Sequence, residues 1–122
     1  DVLYSTSASR VHMAQPFITR HAKVGLLSEW EPAYDVLHPC VYDVKLPPGQ
    51  VNCCQCEKCV RTMLSLVAWG ALERFSTFPP DDLTPEMIAR TPPNPGIHFI
   101  QTPGIVDHLR AVSTAIAVLA VE

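Results

Sequence analysis

Apolar residues recur at helical spacing along much of the chain, and this pattern predicts two helices in its first two thirds. The first covers residues 15–28, with Pro16 suited to its first turn and Gly25 an unfavourable interior residue. The second covers residues 57–75 and is the longest. Polar residues line one side of it, which indicates a solvated face. They are Lys58, Arg61, Thr62, Ser65 and Glu73.

Two start signals predict helices in the last third of the chain. Thr84 followed by Pro85 and Glu86 favours a short helix that ends near Arg90. Thr102-Pro103 repeats the signal, and the helix that follows carries an apolar seam at alternating spacings of four and three residues. The seam consists of Ile105, Leu109, Val112, Ile116 and Leu119. Residues 35–46 instead suit one short strand or extended loop.

Length and proline clusters set the domain organisation. The 122 residues suit one domain, and many of the 12 prolines stand in clusters that separate the elements. We therefore predict a small, mainly α domain over residues 1–122. Residues 16–75 form its cysteine-bearing part, and residues 79–122 form its C-terminal helical part.

Charge and hydropathy exclude several classes of protein. Nine Lys plus Arg against 12 Asp plus Glu give a net charge of −3 without basic stripes, which argues against nucleic-acid binding. No apolar run approaches the roughly 18 residues of a membrane span. The first residues lack the pattern of a secretion signal. We therefore expect a cytoplasmic protein that interacts with neither nucleic acid nor membrane.

Four of the five cysteines follow the spacing C-x12-C-x2-C-x2-C, which is typical of a metal site. Thiolates three residues apart can face one centre in a tight turn, and a distant fourth thiolate completes a tetrahedron. The helix predicted from Glu57 directs its N–H groups and positive dipole end toward these sulfurs. We therefore predict a structural Zn²⁺ bound by Cys40, Cys53, Cys56 and Cys59.

Several alternatives to this ligand set stay open. The cysteines could form disulfides, bind an iron–sulfur cluster or simply be buried. An odd cysteine number disfavours disulfides, and the missing Cys-Pro after Cys59 disfavours a ferredoxin-type cluster. His38 could replace Cys40 as a ligand, and Cys54 could replace Cys53.

The segment from Asn52 to Thr62 resembles the C-terminal zinc segment of the PP-loop ATP pyrophosphatase superfamily, particularly the 7-cyano-7-deazaguanine synthase branch. In that branch a cysteine in an extended segment precedes Cys-Gly-x-Cys-x-x-Cys at the start of a helix. The four predicted ligands match position by position, and Cys54 stands where the family has glycine. The resemblance covers about residues 16–75 and implies a structural zinc in an enzyme that adenylates its substrate with ATP.

The phosphate loop of that superfamily, Ser-Gly-Gly-x-Asp-Ser, does not occur in this sequence. The first functional hypothesis is therefore a zinc-stabilised, non-catalytic binding or interaction module. The second is the zinc-bearing portion of an ATP-dependent PP-loop enzyme, whose nucleotide-binding part lies outside this chain as a missing N-terminal domain or a partner.

A few further residues are candidates for binding. Under the family analogy Arg10, Arg61 and Thr62 could face a substrate, although a solvated helix face explains Arg61 and Thr62 as well. Trp69 could form a contact surface or pack under the Pro79-Pro80 turn. We predict a homodimer that associates through Trp69 or the C-terminal seam, and the alternative is that the last helix packs wholly into the core of its own chain. The five histidines are dispersed, which predicts no histidine site.

Overall fold

The computed structural model describes residues 2–40, 46–79, 83–90 and 104–113, and in these residues the chain is helical. Helix α1 is Arg20–Ser28, α2 is Glu57–Ala68 and α3 is Pro85–Arg90. A fourth helical segment, α4, covers residues 104–113. Short 3-10 helices are Val2–Tyr4, Glu31–Ala33 and Leu72–Arg74. The described ranges contain no strand, so the predicted mainly α class is confirmed.

The extended element predicted for residues 35–46 is not a strand in its described part. Residues 34–36 form a turn after the second 3-10 helix, and residues 37–40 are irregular. Residues 41–45 lie outside the described ranges.

Helix α1 begins four residues later than Pro16, where the sequence placed its first turn. The Thr19 hydroxyl accepts a hydrogen bond from the N–H of Ala22 over 3.1 Å and caps the helix there. Phe17, which precedes this cap, is 97% exposed, so packing against the core does not stabilise a helix over the residues before Thr19.

Helix α2 begins at Glu57 as predicted but ends at Ala68, well before Phe75. Gly70 adopts a φ of +64°, and its N–H donates to the Val67 carbonyl over 2.9 Å. The N–H of Ala71 reaches back to the Leu66 carbonyl, also over 2.9 Å. This pair of hydrogen bonds is the Schellman termination, for which glycine is the favoured residue.

The solvated face predicted for α2 is wrong. Arg61, Thr62 and Ser65 are buried, because α1 covers this side of α2. Their polar atoms are paired within the protein: Arg61 forms an ion pair with Glu57, and the Thr62 hydroxyl donates to the Lys58 carbonyl over 2.8 Å. Burial of these groups is tolerated because each has a partner.

The core lies between α2, the end of α1 and the turn that follows Leu72–Arg74. Its largest fully buried side chains are Phe75, Phe78, Met63 and Leu66. Buried Cys40 and Cys59 pack in the same cluster. The cysteine site is therefore part of the core.

Helices α3 and α4 lie where the sequence placed them. The Thr84 hydroxyl accepts a hydrogen bond from the Met87 N–H over 3.2 Å, as its start signal predicts. In α4, Ile105 is buried, whereas Leu109 and Val112 are partly buried. The predicted seam residues Ile116 and Leu119 lie outside the described ranges.

Gly25 is accommodated inside α1 because the indole of Trp69 lies directly against it. A Cβ atom at this position would stand 2.6 Å from Cε2 and Cζ2 of Trp69. The Trp69 Nε1–H also donates to the His21 carbonyl over 3.0 Å, which holds the ring in place. Trp69 therefore packs on α1; Pro80, in the other predicted contact, lies outside the described residues.

We expect Gly25→Ala to destabilise the fold by about 1–3 kcal/mol, because the clash outweighs the gain of about 1 kcal/mol in helix propensity. Urea unfolding measures the change. The same substitution in a Trp69→Leu background is the control, and there it should be neutral or stabilising. Equal costs in both backgrounds would contradict the packing argument.

Candidate metal centre

The structure brings the four predicted ligands together. The Sγ atoms of Cys40, Cys53, Cys56 and Cys59 all lie within 4.8 Å of one another, and those of Cys53 and Cys59 are 3.9 Å apart. Zn–S bonds of about 2.3 Å require sulfur separations of about 3.8 Å in a regular tetrahedron. All five cysteines are free thiols. The arrangement therefore fits one tetrahedral metal ion.

Backbone N–H groups orient the sulfurs in the tight turn that precedes α2. The N–H of Cys56 donates to Cys53 Sγ over 3.3 Å, and the N–H of Cys59 donates to Cys56 Sγ over 3.4 Å. Cys56 is also the N-cap residue of α2, so the second hydrogen bond starts the helix. The same local geometry both begins α2 and aims three thiols at one point.

The electrostatics of the cluster favour a bound cation. Burial opposes ionisation of Cys53, but hydrogen bonds from the N–H groups of Gln55 and Cys56 and from neighbouring thiols lower its pKa to about 7. Burial raises the pKa values of Cys56 and Cys59. One thiolate forms readily in the cluster, whereas further negative charge requires a cation at its centre.

The two alternative ligands lie outside the cluster. His38 is exposed. Cys54 is only 1% exposed, and its thiol points to the Asn52 carbonyl, 3.6 Å away. Its φ of +58° lies in the left-handed region that favours glycine, which is the residue the resembling family has there. Cys54 therefore belongs to the turn and the core.

Asn52 is a buried residue of the centre that the sequence reasoning did not single out. Its Nδ2 donates to the carbonyl groups of Leu37 and Thr77 over 2.9 and 3.2 Å. Its Oδ1 accepts from the N–H of Cys40 over 3.4 Å. One amide thus holds the Cys40 segment, the cysteine run and the Thr77 turn together. The one sequence signal that could have indicated Asn52 is its position directly before Cys53.

The predicted ligand-facing residues Arg61 and Thr62 line a small cavity of about 10 Å³, with room for about one water molecule, between α1, α2 and α4. Burial, followed by the charge of nearby Arg20, lowers the pKa of Arg61. Arg10, the third candidate, is exposed in the N-terminal segment and does not line this cavity.

Two histidines that are 87 residues apart in sequence meet beside this cavity, which the sequence reasoning missed. His21 Nε2 and His108 Nδ1 are 2.9 Å apart, and His21 Nδ1 lies 2.6 Å from the Ser65 hydroxyl oxygen. The Trp69 ring lies 4.5 Å from the His108 ring and 5.4 Å from that of His21. These contacts join α1, α2 and α4.

The His21 contact predicts a pH-dependent stability. Burial, and then the charge of His108, lowers the pKa of folded His21 below 6.5. His21 therefore binds a proton more readily in the unfolded chain than in the folded protein. The stability that neutral His21 contributes is complete above pH 6.5 and is lost as pH falls through the pKa of folded His21. We expect the destabilisation caused by His21→Gln to shrink between about pH 8 and about pH 5.5.

Urea unfolding of both metal-loaded proteins at the two pH values measures this difference. Because wild type and variant hold the same cysteine site, effects of pH on metal binding cancel in the comparison. A difference in stability that stays constant with pH would contradict the assignment.

The predicted interface residues are partly covered by the chain itself. Trp69 is 40% exposed, but its ring packs on Gly25 and the two histidines. Ile105 is 4% exposed and lines the cavity. The homodimer stays a prediction.

Comparison of the chain with models of protein families, with curated proteins and with solved structures finds no match. The resemblance to the PP-loop superfamily therefore stays a prediction. Among the residues described, no helix has the length and apolar character to span a bilayer.

Proposed function

We propose that the chain is a zinc-stabilised helical module that acts by binding, with no catalysis at its metal. The observation that carries this proposal is the convergence of four cysteine Sγ atoms within 4.8 Å. Zinc suits four thiolates in a tetrahedron, and four protein ligands leave no coordination position for water or substrate.

The position of the four cysteines supports a structural role for the metal. They come from the irregular segment before residue 41, the turn after Asn52 and the first turn of α2. Cys59 and Cys40 also pack against the core. A metal ion bound here would link these three segments, and so it would stabilise the shape of the module.

A second candidate is the zinc-bearing portion of a PP-loop enzyme. It is favoured by the left-handed backbone of Cys54, since the resembling family has glycine at this position of its cysteine motif. In that case ATP chemistry would require a nucleotide-binding portion that carries the phosphate loop.

Metal analysis of protein purified without added metal tests the first part of the proposal. We expect about one zinc per chain, because four protein sulfurs saturate one tetrahedral ion. Iron with visible absorbance, or a folded protein without metal, would contradict it.

Calorimetric titration of the zinc-loaded chain with Mg-ATP tests the second part. We expect no micromolar binding, because the chain has no glycine-rich phosphate loop. Micromolar binding to the chain alone would contradict the proposed module. ATP turnover that appears only with a phosphate-loop portion added would favour the second candidate.

A further inference from the structure

His108 and Ile105 join helix α4 to the rest of the protein at a place apart from the cysteine site. The imidazole of His108 contacts that of His21 on α1 over 2.9 Å, and its ring lies 4.5 Å from the ring of Trp69. Ile105 is 4% exposed, yet it is not a member of the core cluster that includes Met63. None of the residues in these contacts supplies a sulfur to the metal site. Separation of α4 from α1 and α2 would therefore leave the core cluster and the cysteine site in place.

The contact between the two imidazole rings depends on how many protons they carry. His21 Nε2 and His108 Nδ1 lie 2.9 Å apart, so one of these nitrogens donates a hydrogen bond and the other accepts it. The other ring nitrogen of His21, Nδ1, lies 2.6 Å from the Ser65 hydroxyl oxygen, and a hydroxyl group can donate or accept. Ser65 therefore accommodates either tautomer of His21.

One added proton leaves the contact between the rings intact, whereas a second proton breaks it. The first proton can enter at an outer nitrogen, which is Nε2 of His108 where His108 is the donor and Nδ1 of His21 where His21 is the donor. One of the two facing nitrogens then still accepts. A second proton places an N–H on both facing nitrogens over 2.9 Å, and two positively charged rings repel each other.

The charged residues around His21 on α1 and α2 do not offset this repulsion. Arg20 precedes His21 on α1, and Arg20 and Arg61 of α2 line the same small cavity as His21. None of the described residues that line this cavity is acidic. Glu57 pairs with Arg61 from outside the lining. A second positive charge on the histidine pair therefore has no carboxylate partner within this lining.

The groups that approach from α4 and from the end of α2 do not supply a partner for His21 either. Asp107 precedes His108, but its side chain is 75% exposed and lies 3.8 Å from Arg110 on the same helix. Trp69 packs against both imidazole rings and is uncharged. Burial, and then the charge of His108, lowers the pKa of His21, in agreement with this arrangement.

We propose that α4 is a pH-dependent cover, which separates from α1 and α2 when the His21–His108 pair takes up a second proton. Separation removes Ile105 from its buried position and uncovers Val24, which is 5% exposed, and the ring of Trp69. Acid therefore exposes apolar surface between α1 and α2. This inference adds a regulation of the fold to the proposed binding function, and it does not depend on which metal the cysteines bind.

The sign of the pH dependence follows from proton binding. In the separated state His21 is exposed to water and has a pKa close to the ordinary value of about 6.5, whereas burial holds the pKa of His21 in the closed state below this value. Protons therefore bind more readily to the open state. The closed state is fully favoured above about pH 6.5, and α4 separates as pH falls through the lower pKa.

Hydrogen exchange of backbone amides, followed by NMR in the zinc-loaded protein at about pH 7.5 and about pH 5.5, tests the proposal. After correction for the intrinsic effect of pH on exchange, we expect protection of the α4 amides to fall by about tenfold or more at the lower pH, because a hydrogen bond is replaced by repulsion. The amides of α2 should keep their protection. Titration of the histidine ring protons in the same samples should show that α4 opens together with the second of two protonation steps.

His108→Gln separates protonation from packing. Glutamine keeps a hydrogen-bonding group on α4 but cannot become charged, so the protection of α4 should be the same at both pH values. His12→Gln is the matched control, because His12 is exposed in the N-terminal segment. It should keep the pH dependence of the wild type.

Protection of α4 that does not change with pH in the zinc-loaded wild type overturns the proposal. An equal fall in the protection of α2 and α4 overturns it too, since this indicates unfolding of the whole domain. So does a pH dependence that persists in His108→Gln or disappears in His12→Gln. Where His108→Gln leaves α4 open at the higher pH, the ring titration of the wild type decides, and opening of α4 before the second protonation step contradicts the proposal. Zinc content is measured on every sample, so loss of the metal is recognised separately.

Discussion

Replacing Cys59 with serine should abolish metal binding and the cooperative unfolding transition. Cys59 is fully buried, supplies one of the four sulfurs and stands in the first turn of α2. A structural zinc site contributes on the order of 10 kcal/mol, which is comparable to the whole stability of a typical domain, about 5–15 kcal/mol. Loss of one ligand therefore removes most of the free energy of folding.

Cys54→Ser is the matched control for this substitution. It makes the same chemical change at a thiol that is also buried, but one that lies outside the ligand cluster. We expect it to keep one zinc and to cost about 1–2 kcal/mol. Metal analysis and thermal unfolding followed by circular dichroism measure both variants. Retention of zinc by Cys59→Ser, or its loss from Cys54→Ser, would show that the ligand set is wrong.

Asn52→Ala should be the most damaging substitution outside the ligands, with a loss of about 3 kcal/mol or more. It removes the donors of the Leu37 and Thr77 carbonyl groups and the acceptor of the Cys40 N–H. Each group left buried without a partner costs about 1–3 kcal/mol. Because the Cys40 segment would lose its anchor, we also expect zinc to dissociate faster to a chelator.

Urea unfolding of zinc-saturated protein measures the loss of stability. Gln50→Ala is the control, because Gln50 is only partly buried and donates to the backbone of the same residue, Asn52, over 2.8 Å. It should cost less than about 1 kcal/mol. If Asn52→Ala lowered the free energy of unfolding no more than Gln50→Ala, the hydrogen bonds by which Asn52 joins the three segments would not contribute to stability.

The sequence by itself determined those features that depend on a few consecutive residues. Three of the four sulfur ligands lie within seven residues, so the turn and the first turn of α2 bring them together without help from the rest of the chain. The N-cap at Thr84 is equally local. For this reason the cysteine cluster and the start of α3 could be predicted from spacing and capping residues.

Tertiary structure alone decided which polar residues are buried and which distant residues meet. The stripe of Arg61, Thr62 and Ser65 has the pattern of a solvated face, yet α1 covers it. His21 and His108 are far apart in sequence, and no periodicity relates them. Contacts between separate elements depend on how helices pack, which local pattern does not specify.

Two glycines, one inside α1 and one just after α2, show this division most clearly. Gly25 lies inside α1, where the indole of Trp69, the residue that follows α2, occupies the space of its missing side chain. Gly70 ends α2 because it adopts a positive φ and its N–H caps the last turn. Glycine is compatible with both conformations, so its presence in an apolar helical pattern does not distinguish them. Whether the helix continues or ends at the glycine depends on the neighbouring element. Trp69 covers Gly25 within α1, whereas Ala71, which follows Gly70, turns into the core and is 1% exposed.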